Sequence, residues 1–321
     1  MPGHVVAQPR RLRGAALVFG HALTVQPTPT VCGVGELEDS VVRRVLAWYE
    51  TNARDLPWRR PDATPWGILV SEVMLQQTPV ARVLGPWEAW LEGWPAPAAL
   101  AAEPAGAAVA AWGRLGYPRR ALRLHQAAVA IVERHGEEVP QTYEELLALP
   151  GIGDYTAAAI ASFAFGQRHA VVDTNVRRVL ARVNAGVADQ PPSAASRRLA
   201  ESYVPEGADA PRWAVASMEL GALVCTARSP RCGDCPISDL CAWRAAGQPA
   251  LPRPVRTTQS WHGTDRQCRG ALLAAVREAA APVPRHALIS KWPDPDQSAR
   301  CLAALLDDGL LHGTGAISLY E

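Results

Sequence analysis

The sequence predicts an all-α protein carrying a small winged-helix-like module at its C-terminal end. Apolar residues recur at helical spacing from about residue 39 onward, and no convincing run of alternating residues occurs before residue 250. A proline-bearing polar stretch at 248–256 then separates this helical run from a tail of roughly 65 residues, near the lower size for an independent domain.

The elements follow in order. Val41, Val42, Val45, Leu46 and Tyr49 place an amphipathic helix over Ser40 to Asn52. Gly67 to Gln77 and Pro79 to Leu91 read as consecutive helices, with Pro79 at the first turn, where its missing N–H costs nothing. Further helices are expected at Pro104–Leu115, Arg119–His135, Thr142–Ala148, Tyr155–Phe165, Asn175–Val183, Ser193–Ser202 and Pro211–Val224. Thr142 followed by Glu145 forms a capping-box pattern. In the tail, helices are expected at Gln267–Ala279, Arg285–Lys291 and Asp296–Asp308, with a hairpin over Gly309–Tyr320. Three helices and a hairpin fit a winged helix, and the competing expectation is a helical cap packed on the first domain.

The 321 residues suffice for two cores, and a hydrophobic content of 48% against 20% charged residues is that of a globular chain. No apolar run reaches the length of a membrane span. Residues 1–38 read as a disordered or mis-started extension. Arg10, Arg11 and Arg13 before the apolar stretch Gly14 to Val25 imitate a signal peptide, but His21 interrupts it. The formal net charge is only +1, so any role with nucleic acid must rest on motifs.

Four cysteines form the run Cys225-x6-Cys232-x2-Cys235-x5-Cys241, with no histidine among them. Four thiolates so close together suit a single metal centre. An iron–sulfur cluster fits best, a structural zinc normally uses two tight knuckles, and disulfides are disfavoured in a cysteine-poor chain. Cys32, Cys268 and Cys301 stand apart and read as free thiols, which points to a reducing compartment and a cytoplasmic location.

Leu149-Pro-Gly151-Ile-Gly153 leads straight into a helical run. Two glycines around one apolar residue let the backbone turn tightly and present N–H groups at a helix start, a place that holds phosphate. The geometry suits a helix-hairpin-helix grip on a DNA strand, which carries no sequence information. Downstream, in Val171-Val-Asp173-Thr-Asn175-Val176, Asp173 stands where a helix N-cap is expected, and the N–H groups facing it favour its ionised form. In Val70-Ser-Glu72-Val-Met-Leu-Gln76-Gln77-Thr78, Glu72 sits on a buried helix, where desolvation favours the neutral acid. A neutral acid set against a charged carboxylate is the pairing that cleaves glycosidic bonds. Taken alone, Asp173 reads first as a plain N-cap aspartate, and Glu72 reads also as a satisfied core group.

Together these pieces occur in the order of the endonuclease III superfamily of DNA glycosylases. The chain from about residue 40 to 245 resembles its MutY-type adenine DNA glycosylases, through Leu56-Pro-Trp-Arg59, Ser71-Glu-Val-Met-Leu-Gln-Gln-Thr78, Leu115-Gly-Tyr117, Leu149–Gly153 with Tyr155-Thr156, Asp173-x-Asn175-Val176 and Glu219-Leu-Gly-Ala-Leu-Val-Cys225. The resemblance implies a helix-hairpin-helix glycosylase domain over 39–247, a [4Fe–4S] cluster on segment 225–241, and a monomer acting on duplex DNA with a mispaired adenine. It also implies Glu72 as general acid, Asp173 as the carboxylate that meets the sugar cation, and Asn175 as the residue orienting Asp173.

Tyr155 stands where strand-cutting relatives place a lysine, so cleavage through an imine is not expected. Trp58, Arg59, Leu75, Val80 and Glu219 match positions lining the adenine pocket, beside Gln76 and Thr78 of the same motif. Gln77 and Tyr117 match the duplex wedges, and Arg228 and Arg231 lie in the cysteine loop within reach of DNA phosphate. Typical members carry a larger Nudix-like domain that recognises 8-oxoguanine opposite the adenine; the present tail is too short for it, and Pro118 replaces a second aromatic after Tyr117. The competing functions are an endonuclease III-like glycosylase/lyase for damaged pyrimidines, against which Tyr155 argues, and a non-catalytic DNA-binding or redox-sensing protein, which would need neither carboxylate.

Overall fold

The computed structural model describes residues 34–250 and 261–320. The signal-like stretch, Cys32 and residues 251–256 of the expected linker lie outside them.

Helix α1 (Val34–Asn52) begins at Val34 rather than Ser40, so residues 34–38, assigned to the extension, belong to a helix, and Glu38 is buried. After a 3-10 turn at Pro57–Arg59 comes α2 (Pro65–Leu75), capped by the Thr64 side chain, which accepts from the Gly67 N–H, with Pro65 at its first position. Trp66 through Met74 are all buried, the mark of a helix enclosed on every side. Next are α3 (Val80–Gly93), α4 (Pro97–Ala101), α5 (Ala105–Trp112) and α6 (Arg119–His135), whose end falls at Gly136 in the left-handed conformation. Helices α7 (Tyr143–Leu147) and α8 (Asp154–Phe165) form the hairpin, and α9 (Thr174–Leu180) runs into a π turn at Ala181–Ala185. Then come α10 (Ala194–Ser202), α11 (Asp209–Leu223) and α12 (Ala242–Ala245). The expected helices are all present, and Ser193 and Thr142 cap theirs. Helices α4 and α12, of five and four residues, were not expected from the sequence.

One expected boundary fails in an informative place. The helix over Gly67–Gln77 stops at Leu75, and Gln77 takes a φ of 55°. Its last carbonyls, of Val73, Met74 and Gln76, accept instead from the Arg120 guanidinium at 2.9, 2.9 and 2.6 Å. A side chain from α6 thus ends a helix that its own residues would continue.

Two principal cores result. One gathers Trp58, Trp66, Trp87, Trp90, Trp112 and Ile160 around α2, α3, α5, α6 and α8. The other gathers Val41, Val45, Val176, Leu180, Trp213 and Leu220 between α1, α9 and α11. Glu72 projects from a helix of the first, and Asp173 opens a helix of the second.

The tail forms α13 (Asp265–Arg277), β1 (Val283–Pro284), α14 (Arg285–Ile289), α15 (Pro295–Asp307) and β2 (Ala316–Ile317). This is a winged-helix-like order with one correction. His312 pairs with Ser318 as a hairpin should, but Ala316–Ile317 also pair antiparallel with Val283–Pro284, a strand too short to be read from the sequence. The module also packs on the first core, its Leu272, Leu302 and Ile317 being continuous with it, so both expectations for the tail describe part of it.

Gly151 has a φ of 81°, and a Cβ there would fall 2.6 Å from the Arg123 Cβ. Gly151→Ala should therefore destabilise the protein by about 1–3 kcal/mol, read by denaturant unfolding. Gly153 has φ −105° and open space around it, so Gly153→Ala should change stability by no more than about 0.5 kcal/mol.

Candidate active site and iron–sulfur segment

A cleft of about 1400 Å³ opens between the two cores and collects Trp58, Arg59, Glu72, Leu75, Gln76, Gln77, Thr78, Val80, Gly153, Tyr155, Asp173, Asn175 and Glu219 among its lining residues. Tyr117, Gly151, Arg228 and Arg231 are not among them.

Glu72 is 5% exposed. Burial, with a smaller push from the Asp173 charge, raises its pKa from 4.5 to about 7, against a hydrogen bond from Tyr155 and the Arg59 charge. That shift corresponds to about 3 kcal/mol favouring the neutral acid, enough to leave a large protonated fraction near neutrality. Burial and the two neighbouring carboxylates push the Tyr155 hydroxyl far above its usual range, so it stays a neutral donor.

Asp173 caps α9. Its Oδ1 accepts from the N–H groups of Asn175 and Val176 at 2.8 and 2.7 Å, and its Oδ2 from Asn175 Nδ2 at 2.7 Å. The sequence led us to expect these donors to hold the pKa down. Its burial outweighs them, and the net shift is upward. Asn175 is held in turn: its Oδ1 accepts from Arg178 Nη2 at 2.8 Å, while Arg178 also donates to the carbonyls of Gly221 (2.7 Å) and Cys225 (2.8 Å). Gly221 permits this approach, since a Cβ there would fall 2.6 Å from that of Asn175. One arginine therefore ties the carboxylate's support to the first cysteine of the metal segment.

Glu219 lines the cleft from full burial, and its carboxylate is saturated. It accepts from the Arg54 N–H, Nε and Nη2 at 3.1, 2.7 and 2.7 Å and from Arg59 Nη1 at 3.1 Å. Burial raises its pKa, but the two arginines overcome this and the net shift is downward. Sequence reasoning missed Arg54, which lies 165 residues from its partner. Gln76 donates to Thr156 at 3.3 Å, and buried Thr78 accepts from Arg120 at 3.1 Å, so both serve the turn that carries Gln77. Trp58 is buried edge-on against Trp87 at 5.6 Å.

Tyr117 lies on the loop between α5 and α6, half-exposed, with a φ of 48°. It and Gln77 are both left-handed, a conformation uncommon outside glycine. Arg120 holds the two loops together: beyond the carbonyls of the α2 end, it donates to Gly116 O at 2.9 Å. Its guanidinium lies 5.0 Å from the Trp112 ring and 5.6 Å from that of Tyr117.

Cys225, Cys232, Cys235 and Cys241 surround one small void with Arg182 and Trp243. Burial pushes the Cys235 thiol up to about 11, so ligation is what would keep it a thiolate. Two sulfurs have outer donors: Arg182 Nη1 reaches Cys225 Sγ at 3.2 Å, and Gln248 Nε2 reaches Cys232 Sγ at 3.2 Å. Half-buried thiols around a shared void, with N–H donors aimed at sulfur, fit a thiolate-bound centre, and the match of residues 225–241 reported below makes it an iron–sulfur site rather than zinc. Arg231 donates to Leu223 O at 3.0 Å and pairs with Asp234 at 3.6 Å, which fastens the cysteine loop to the end of α11, while Arg228 is exposed.

Comparison with known proteins gives the following. Residues 70–205 match the family described as HhH-GPD superfamily base excision DNA repair protein, and residues 225–241 match the iron–sulfur binding domain of endonuclease III. An adenine DNA glycosylase of Mycobacterium tuberculosis is 50% identical over 90% of this chain and 95% of its own. A thermostable thymine-DNA glycosylase superposes with a TM-score of 0.61 at 29% identity, over 65% of this chain and 97% of its own. An endonuclease III–DNA complex superposes with a TM-score of 0.59 at 22% identity, over 67% of this chain and 99% of its own, and shares the fold.

Arg178→Met should strand the carbonyls of Gly221 and Cys225 together with Asn175 Oδ1. The expected loss is about 3 kcal/mol, measured by denaturant unfolding.

Proposed function

Because the chain belongs to the adenine DNA glycosylases of the HhH-GPD superfamily, we propose that it excises adenine paired with 8-oxoguanine or guanine in duplex DNA, hydrolysing the N-glycosidic bond without cutting the strand. The observation that carries the reading is the pairing of Glu72, raised to about 7, with Asp173 in one cleft.

The target base must leave the stack to reach Glu72. Gln77 and Tyr117 would fill the gap it leaves, offsetting part of the unstacking cost. Trp58, Leu75 and Val80 supply the apolar walls of the base site, and Arg59, oriented by Glu219, supplies a donor there. Glu72 gives its proton to adenine, at N7, as the bond from C1′ to N9 breaks and its electron pair passes to the base. The sugar cation left behind is matched by the Asp173 carboxylate. Water then adds to C1′, and its released proton restores Glu72. Tyr155 has no amine to form an imine, so the abasic product remains uncut.

The hairpin glycines present backbone N–H groups to one strand, and the iron–sulfur segment fastens the cysteine loop to the protein without taking part in the chemistry. Both carboxylates come from one chain, so a monomer suffices. Among the described residues no helix is long and apolar enough to cross a membrane, and the substrate is the DNA of the nucleoid in the cytoplasm.

The test uses duplexes with adenine opposite 8-oxoguanine, guanine or cytosine, read with and without alkali. Breaks that need alkali support the reading. Direct breaks would favour a lyase for damaged pyrimidines, and binding without base release a non-catalytic protein. Glu72→Gln should lower base release by about 10²–10⁴-fold while leaving duplex affinity nearly unchanged.

The pH profile of kcat/KM carries the sign of both shifts. The acid must be protonated, so activity should fall as pH rises through about 7. Asp173 must be charged, so activity should also fall on the acid side, and this limb should lie above the ordinary carboxylate value because its pKa is raised. Asn175→Ala removes one donor to Asp173 and should move the acid limb to higher pH; an unmoved limb would assign it to another group.

A further inference from the structure

The C-terminal module has no part in the chemistry above, yet beside its apolar packing on the first core its polar contacts with the first domain converge on one stretch. Arg277 Nη1 donates to Gly113 O at 2.7 Å. Asp308, only 10% exposed, pairs with Arg119 at the end of the Tyr117 loop and with Arg269 of α13. The Arg266 guanidinium lies 5.9 Å from the Tyr117 ring centroid. The backbone of Leu319 lies so close to α5 that a Cβ on Gly106 would fall 2.1 Å from its carbonyl oxygen.

That loop needs support. Gly113, Gly116 and Tyr117 all have positive φ, at 55°, 81° and 48°. Two glycines leave the free chain many conformations, and the third residue stands in one it disfavours. Arg120 holds the loop from the protein side, by Gly116 O. The module holds it at both ends from the other: Arg277 at Gly113, and Asp308 at Arg119.

We infer that the C-terminal module is a brace for the intercalating loop, keeping residues 113–119 in the one conformation that presents Tyr117 to the duplex. The inference rests on the glycosylase reading for its consequence, because a held wedge matters only where a base is drawn out of the stack. Docking for stability alone would need no charge at this loop. Instead a nearly buried aspartate is shared by two arginines there, and a third arginine faces the ring. When a loop reaches its competent conformation only part of the time, the rate of the step it assists falls by that fraction.

The experiment compares the full-length protein with Arg277→Met/Arg266→Met, and with Arg266→Met alone, whose exposed side chain can be lost without threatening folding. Amide hydrogen exchange of residues 114–118 is measured in the free protein, and single-turnover adenine release on a mispaired duplex. For the double variant we expect exchange at the loop to rise by about tenfold or more, with the rest of the first domain unchanged. Adenine release should slow by about tenfold, with affinity for fully paired DNA retained; the single variant should show the same signs with smaller size. Arg277→Lys, which keeps a donor near Gly113 O, should recover most of both. Unchanged exchange in the double variant would overturn the brace. Faster exchange with undiminished release would overturn its role in base extraction. A wild-type protein that releases no adenine would sink the glycosylase reading while leaving the exchange result to judge the brace.

Discussion

Of the carboxyl groups that line the cleft, Glu72, Asp173 and Glu219 are desolvated, and they cannot all carry charge cheaply. How each is treated decides its chemistry. Glu219 receives two arginines and four hydrogen bonds and is held ionised. Asp173 receives no direct cation but three N–H donors at the start of a helix, which resist the upward pull of burial. Glu72 receives a single hydrogen bond, from Tyr155, with Arg59 acting only through its field, and it alone rises to about 7. The directions follow the balance of donors against burial: the arginine-bound carboxylate is lowered, and the two that lack a direct cation are raised. Glu219 also holds Arg59 by a hydrogen bond at 3.1 Å, so the one cation whose field reaches Glu72 is already paired.

The parts of this site that were legible in the sequence are those whose chemistry is local. Asp173 announces itself because the groups it caps are two and three residues away, and the four cysteines because a short run must hold its own ligand. Glu72 was readable from the unbroken apolar run around it. What the sequence hid are the distant partners of arginine. Nothing near Arg54 points to Glu219, and nothing near Arg120 points to the carbonyls of Val73, Met74 and Gln76, more than 40 residues away. The same blindness produced the wrong end of α2. Glutamines are good helix formers, so Gln76 and Gln77 read as helical. A guanidinium takes over the last carbonyls of α2, and the chain turns out at Gln77 instead. The upward shift of Asp173 was missed for a related reason, since donor count can be read locally and depth of burial cannot.

Buried arginines recur as the joints of the fold. Arg120, Arg178 and Arg182 are each less than a tenth exposed, and each binds several carbonyl oxygens at loops or helix ends that would otherwise lack donors. Lysine could not replace them, because one planar fork with five N–H groups satisfies several acceptors fixed in different directions. They join what the cores leave separate: Arg120 ties the two wedge loops, Arg178 the Asp173 support to Cys225, and Arg182 the π turn to the cysteine segment and the face of Trp243 at 4.4 Å. The demands on these three residues explain why they sit where loops and helix ends meet and not inside the hydrophobic cores.

This use of arginine also resolves the charge of the chain. With 32 basic against 31 acidic residues, composition gives no hint of a polyanionic substrate. Part of the basic complement points inward, to carbonyls and to Glu219, and is unavailable to phosphate. Exposed arginines such as Arg228 remain free to meet phosphate, and in the proposed function neutral donors add to them: Gly153 opens α8 with open space over it, so no side chain covers the N–H groups at that helix start. A grip made that way is indifferent to base sequence. Such indifference is consistent with the proposed reading, in which selectivity is exercised later, when one base is drawn into the cleft beside Glu72.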